Sequence, residues 1–248
     1  MTFKDHFSRQ ADSYTRFRPR YPRELFAFLA ALPAARRRAW DCGTGNGQAA
    51  EALAEFFDAV VATDPSARQI EHAAPHAKIE YHVAPAESCP LKAASVDLVA
   101  VAQALHWFDH ESFFAEVRRV GRNGGVVAAW AYGLGRLTPD VDRVVMHLYG
   151  DLLGTYWPPE RHYIEQGYRK IPFPFAEIDA PHFVMTASWS LDDLTGYLGT
   201  WSSVQSYIEQ QGSNPLALVH DDLVAAWGSA AQRKVTWPLY LRVGYIHI

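Results

Sequence analysis

The chain is poor in cysteine: Cys42 and Cys89 are the only two in 248 residues. No disulfide framework can be built from them, and the expected setting is a reducing cytoplasm. No apolar run reaches the length that spans a bilayer, so no membrane partner is expected. The start, Met1-Thr-Phe-Lys-Asp-His, lacks the basic-then-apolar pattern of a secretion signal. Positive charge is not in excess either. With 23 basic and 27 acidic side chains the net charge is −4, which disfavours a nucleic-acid partner. Metal-binding spacing is also missing. His106, Asp109 and His110 cluster loosely, Pro75 interrupts the stretch between His72 and His76, and no cysteine–histidine set has zinc spacing. No metal is expected. Neither a Gly-x-Ser-x-Gly elbow nor a P-loop Gly-Lys-Ser/Thr occurs.

What is present can fill a core. Hydrophobic residues make up 49% and charged residues 20%, which excludes wholesale disorder. Charge is uneven: residues 1–40 carry nine basic and three acidic side chains, a local +6 that leaves the remainder at −10. Arg36, Arg37 and Arg38 read as a solvated face. The eight Trp, twelve Tyr and thirteen Phe exceed what a small core requires, so some are expected to wall a ligand cavity.

Along the chain, short apolar runs alternate with amphipathic stretches. Strands are expected at 38–41, 59–63, 79–83, 96–102 and 126–131. Helices are expected at 23–34, 48–57, 66–74 and 109–120, with Gly121 and Asn123-Gly124-Gly125 supplying the turn that ends the last of them. Strands that are apolar throughout belong to a parallel sheet covered on both faces. Later, a helix near 138–153, strands at 182–187 and 234–246, and helices near 191–211 and 215–229 suggest an antiparallel addition at one sheet edge.

The densest signal is Asp41-Cys42-Gly43-Thr44-Gly45-Asn46-Gly47, between a strand and a helix. Glycines let the backbone turn tightly and let a ligand approach without a Cβ. The free amides at a helix start suit a carboxylate or phosphate. A dinucleotide site wants Gly-x-Gly-x-x-Gly or Ala, but Gln48 holds the sixth position. Asp41 would repel a diphosphate and suits an ammonium group. Asp64 ends the next strand, 17 residues after Gly47, where an acid can accept both hydroxyls of a ribose.

These residues carry a family resemblance. Asp41-x-Gly43-x-Gly45-x-Gly47, Asp64-Pro65-Ser66, Ala84-Pro85-Ala86-Glu87-Ser88-Cys89-Pro90 and Ser95-Val96-Asp97-Leu98-Val99 together resemble a class I S-adenosylmethionine-dependent methyltransferase. Tyr14-x-x-x-Arg18-Pro19-x-Tyr21-Pro22, Gln103-Ala104-Leu105-His106-Trp107-Phe108 and Thr200-Trp201-Ser202-Ser203-Val204 are similar to the trans-aconitate methyltransferase-like group within it. The resemblance covers nearly the whole chain.

It implies a doubly wound, mostly parallel α/β sheet of the Rossmann-like methyltransferase kind, with seven strands, an antiparallel edge hairpin and a helical cap. One domain spans 1–248: an N-terminal arm and lid helix (1–34), a cofactor-binding core (35–133), a cap and insertion with one edge strand (134–230), and a final edge strand (231–248). S-adenosylmethionine is the implied cofactor. Asp41 would serve its amino group, with Gly43, Thr44 and Gly45 lining the loop. Asp64 would take the ribose hydroxyls, Pro65 and Ser66 would lie beside the adenosine, and Gln69 is a looser candidate. Ala86 and Glu87 would read the adenine edge, although Pro85 stands where many members have Asp. Gln103 and Ala104 would border the sulfonium and the acceptor. Tyr14 and Arg18 read equally as folding over the cofactor, with Arg18 pairing its carboxylate, and as an N-terminal arm that merely packs on the domain.

His106 and Trp107 follow the fourth strand, close to any acceptor. His106 reads equally as a base or orienting group and as a structural histidine. Tyr149, Tyr156, Trp157, Trp189, Trp201 and Tyr207 are expected to form an acceptor cap. The implied partner is a small-molecule methyl acceptor, carboxylate in the resembling group, on a monomer or weak dimer. Competing readings are a cofactor-binding module without catalysis, an RNA or protein methyltransferase supported by the basic N-terminal segment, and a nicotinamide dehydrogenase disfavoured by Gln48 and Asp41.

Overall fold

The computed structural model describes residues 19–247. Five short runs become parallel strands; four of them are buried on both faces, while the third, at the sheet edge, is largely exposed. They are β1 (Arg38–Cys42), β2 (Ala59–Asp64), β3 (Ile79–Val83), β4 (Val96–Ala102) and β5 (Gly121–Tyr132). Helices lie between them: α1 (Arg23–Ala31) before the sheet, α2 (Gln48–Ala54) after β1, α3 (Ala67–Glu71) after β2 and α4 (His110–Val120) before β5. Helix α4 shows why such an element forms. The Asp109 side chain accepts from the Ser112 amide at its N-terminus, Arg118 and Arg119 occupy its last turn, and Phe113, Phe114, Val117 and Val120 are buried along one stripe. Each such aromatic or aliphatic side chain contributes roughly 1.5–3 kcal/mol on burial.

The sheet runs β3-β2-β1-β4-β5 in parallel, then β8 (Arg233–Tyr245) antiparallel to β5, with β6 (Ala176–Glu177) on the far side of β8. Strand order diverges between β1 and β4, and open α/β sheets bind ligands at the carboxyl ends of the strands flanking that point. One face is packed by Leu25, Phe26, Leu53, Phe57 and Trp130. The other is packed by Trp40, Phe113, Phe114 and Val117. A third cluster, including Val141, Leu148, Leu198, Trp201 and Leu223, forms the inside of a helical cap.

Several boundaries differ from the sequence expectations. The turn expected at Gly121 to Gly125 is the start of β5. Gly121 is extended (φ −69°), and the ladder with β4 shifts register between Val96 and Leu98 to absorb the extra residues. The helix expected over 138–153 is α5 (Pro139–Met146), capped by Thr138, running on into a π-helical turn over His147–Leu152. The long helix expected over 191–211 breaks into α7 (Leu191–Gly199) and α8 (Ser202–Gln211) where Trp201 turns extended (ψ 135°). The short α6 (Arg161–Glu165) and strand β6 carry no periodic signal in the sequence. The antiparallel edge is not a hairpin. Strand β7 (Val184–Trp189) pairs with the first half of β8, but α7, α8 and α9 (His220–Trp227) lie between them in the chain. Trp189 sits at the junction of that edge with the cap: its ring meets Trp237 at 4.7 Å and Tyr197 at 5.1 Å.

Candidate active site

The glycine turn is held by its backbone. The amides of Gly43 and Thr44 both donate to the carbonyl of Thr63, at 2.8 and 3.0 Å, which folds the loop over the end of β2. Gly43 (φ +70°) and Gly47 (φ +94°) are left-handed. A Cβ on Gly43 would lie 2.6 Å from the Ala104 Cβ, and one on Gly47 would lie 2.4 Å from the Tyr81 hydroxyl. Both positions therefore require glycine for conformation and for space.

Asp41 sits at the end of β1 with no exposed surface. Its Oδ2 accepts from the Thr44 hydroxyl at 2.5 Å. The Ala50 amide lies near, but no hydrogen bond of normal geometry reaches Oδ1 among the described residues. Burial pushes the Asp41 pKa up to about 7, with Thr44 opposing and Asp64 adding repulsion. Asp64 ends the neighbouring strand. Its Oδ2 accepts from the Gly45 amide and its Oδ1 from the Ser66 amide, each at 2.9 Å. Thus the two acids share one end of the sheet, on adjacent strands.

A cavity of about 1460 Å³ opens there. Gly43, Thr44 and Gly45 line it from the loop, and Asp64, Pro65, Ser66 and Gln69 from the end of β2 and the start of α3. Ala86 and Glu87 form the wall after β3, and Gln103 and Ala104 the wall after β4. Asp41 is beneath the loop and is not part of the wall. Tyr14 and Arg18 lie outside the described residues. Glu87 is partly engaged already, its Oε1 accepting from the Asp109 amide at 2.9 Å. Gln103 is left-handed (φ +55°), an uncommon state for a residue with a Cβ. Its side chain exchanges two hydrogen bonds with the backbone of Tyr132, at 3.1 and 3.2 Å. Strands β4 and β5 are so clasped beside the cavity.

Residues 40–129 match the family described as "Methyltransferase domain". A candidate methyltransferase of Dictyostelium discoideum is 34% identical over 247 residues, covering 96% of this chain and 94% of its own. The chain belongs to the S-adenosylmethionine-dependent methyltransferases. A methyltransferase of Mycobacterium tuberculosis, itself uncharacterised, is 35% identical over 175 residues, covering 69% of this chain and 66% of that one. The solved structure of a candidate type II methyltransferase from Anaeromyxobacter dehalogenans superposes with a TM-score of 0.87 at 50% identity, covering 93% of this chain and 99% of that chain.

S-adenosylmethionine is the cofactor of this family, and the residues of this methyltransferase fit it. The unsatisfied Oδ1 of a buried carboxylate beneath the loop suits the cofactor's ammonium, directly or through a water. The crowding at Gly43 and Gly47 leaves backbone alone to meet the methionine portion. Asp64, 8% exposed at the wall, presents a carboxylate, which accepts from hydroxyl donors. Cys42 is buried in the turn, and burial pushes its thiol well above the ordinary range, so it is inert.

Two further histidine and aromatic expectations take definite form. His106 is buried, with Nδ1 3.0 Å from the hydroxyl of Tyr168. Burial, then the nearby Arg161 cation, lowers its pKa to about 3, so the methyltransferase holds a neutral imidazole there at physiological pH. A base of that strength is a poor match for proton abstraction near pH 7. Trp107 is half-buried and lines the main cavity. From the cap, Tyr156 and Trp157 reach the cavity wall, and Tyr207 packs on Tyr156 at 4.9 Å. Tyr149 packs on Trp157 and Trp201 behind them.

Sequence reasoning missed Arg20 and Tyr21 at the cavity, Ser202 and Ser206 from α8, and Arg161 and Tyr168 near His106. Only Tyr21 and Ser202 lie within quoted motifs. Arg161 and Tyr168 sit in a segment without periodic pattern.

Proposed function

We propose that this chain transfers the methyl group of S-adenosylmethionine to a small organic acid bound under the cap. The carrying observation is the continuity of one cavity. It runs from the glycine loop and Asp64, past Gln103 and Ala104 at the end of β4, to Trp157 and Ser202 of the cap. A donor held at the loop and an acceptor held under the cap would meet at the end of β4.

Bound there, S-adenosylmethionine would supply a sulfonium-activated methyl group to an acceptor oxygen, with S-adenosylhomocysteine as the leaving group. The chain's own residues supply position and exclusion of water. A carboxylate acceptor is already ionised at neutral pH and needs no proton removed, which agrees with a neutral, buried His106. The small-molecule reading also rests on the cap residues Tyr156, Trp157 and Pro158, which line the same cavity as the glycine loop. The carboxylate reading is supported by the similarity to the trans-aconitate methyltransferase-like group. Two unpaired, buried thiols suit a reducing compartment, the cytoplasm.

The test is in two steps. Calorimetry with S-adenosylhomocysteine measures cofactor binding, and absence of heat at concentrations near a millimolar removes the cofactor assignment. Methyl-transfer assays then compare panels of small acids, phenols and amines. Turnover confined to phenols or amines would remove the acid assignment.

A further inference from the structure

Beyond the main cavity, a small annex of about 50 Å³ opens between the end of β4 and the cap. Gln103 and Trp107 line both spaces, so the annex adjoins the place where transfer would occur. Its other walls include Trp157, Trp201 and Ser202, together with His106 and Arg161. Among the described residues no Asp or Glu side chain lines it, and Arg161 is the one Arg or Lys that does.

Arg161 is held for a partner it does not yet have. Its guanidinium lies 4.8 Å from the ring centre of Trp157 and 5.5 Å from that of Tyr149. Its Nε donates to the Tyr149 hydroxyl at 3.1 Å. That hydroxyl in turn donates to Glu165, so this acid is engaged by Tyr149. No ion pair among the described residues includes Arg161. Stacking and the Nε bond fix the plane of the group and leave the paired terminal nitrogens for a planar anion.

His106 adds a second donor. Tyr168 is fully buried, and burial keeps its phenol protonated. Among the described residues the one acceptor within reach of that proton is Nδ1 of His106. The reverse arrangement would leave a buried O–H without an acceptor. The ring is thereby set with its hydrogen on Nε2, for which no hydrogen-bond partner occurs among the described residues. A neutral Nε2–H donor and a guanidinium on one small space select for an acceptor and against a donor or cation.

We propose that the annex is a specificity subsite for an anionic, carboxylate-sized group of the methyl acceptor, held by the Arg161 guanidinium and the Nε2–H of His106. This deepens the methyl-transfer reading and rests on it for the identity of the reaction, but the anion site itself can be tested apart from it. Arg161 is a residue that touches substrate. Tyr168 is a positioning residue, acting through His106.

Trp107, Trp157 and Trp201 line the annex, so tryptophan fluorescence reports its occupancy. The probes are benzoate and its neutral isostere benzamide, titrated with and without S-adenosylhomocysteine. Benzoate is expected to bind saturably, and benzamide at least about tenfold more weakly. Arg161→Gln is expected to lose at least about tenfold in benzoate affinity, with benzamide unchanged and S-adenosylhomocysteine affinity kept within about twofold. Arg161→Lys is expected to fall between, since it keeps the charge and loses the planar fork. Equal binding of the two probes, no saturable benzoate binding, or an unchanged benzoate affinity in Arg161→Gln overturns the subsite. Benzoate selectivity that depends on Arg161 in a protein that binds no S-adenosylhomocysteine would keep the anion site and remove the methyl-transfer reading.

Discussion

The carboxylate of Asp64 accepts a hydrogen bond from the backbone amide of Gly45 at 2.9 Å, tying the glycine loop to the tip of the adjacent strand. One acid therefore has two tasks: it shapes the loop, and it presents a carboxylate at the cavity wall.

Asp64→Ala is expected to weaken S-adenosylhomocysteine binding by at least about tenfold, because it removes both the hydroxyl acceptor and the loop tether. Calorimetry measures this. An unchanged affinity would remove the ribose assignment.

Gly43→Ala is expected to lower stability by about 1–3 kcal/mol or more and to abolish cofactor binding. Two costs add: a left-handed backbone at φ +70° and a Cβ placed 2.6 Å from that of Ala104. Denaturant unfolding gives the first quantity, calorimetry the second.

Gln103→Ala is expected to cost about 1–3 kcal/mol, since the Tyr132 backbone amide and carbonyl lose their partners next to the cavity. Gln103→Gly is expected to recover part of that loss, because glycine relieves the strain at φ +55°. Chemical unfolding of both variants checks the order; a more stable alanine variant would show that the backbone conformation carries no strain.

The pH dependence of stability has two opposed components. Asp41 has a raised folded pKa of about 7, so the unfolded chain releases its proton first, and stability falls as pH rises from about 4 to 7. His106 has a lowered folded pKa of about 3, so the unfolded chain takes up its proton first, and stability falls as pH drops from about 6.5 to 3. Each slope is at most about 1.4 kcal/mol per pH unit, and between about pH 4 and 6.5 they offset one another. Asp41→Asn is expected to unmask the histidine component: stability then rises with pH across that window. Melting temperatures from pH 4 to 8 for parent and variant decide the matter, and parallel curves would sink this assignment.

The parallel half of the fold was legible because β1, β2, β4 and β5 are apolar on both faces, a pattern that only a covered parallel sheet requires. Asp41, Gly43, Gly45 and Asp64 could be found in sequence because a tight turn before a helix and an acid at the next strand end are local demands. The cap was harder to read. Trp201 breaks a helical pattern that runs from Leu191 to Gln211, and it does so because it packs against Trp157 and Tyr149, residues remote in the chain. Trp189, a cap aromatic by sequence, packs on the cap cluster and also joins it to the sheet, since β7 pairs with β8 only after three intervening helices.

Sequence by itself determined the strand and helix alternation, the glycine turn and the two acids, because each rests on periodicity or on conformations that few residues adopt. Tertiary structure alone decided that Asp41 lies under the loop instead of in the wall, that His106 is neutral against Tyr168, and that Arg161 faces an annex with no acid beside it. Those are matters of burial and of which distant groups meet. Their physics is desolvation and pairing across the fold, and neither is written in the order of neighbouring residues.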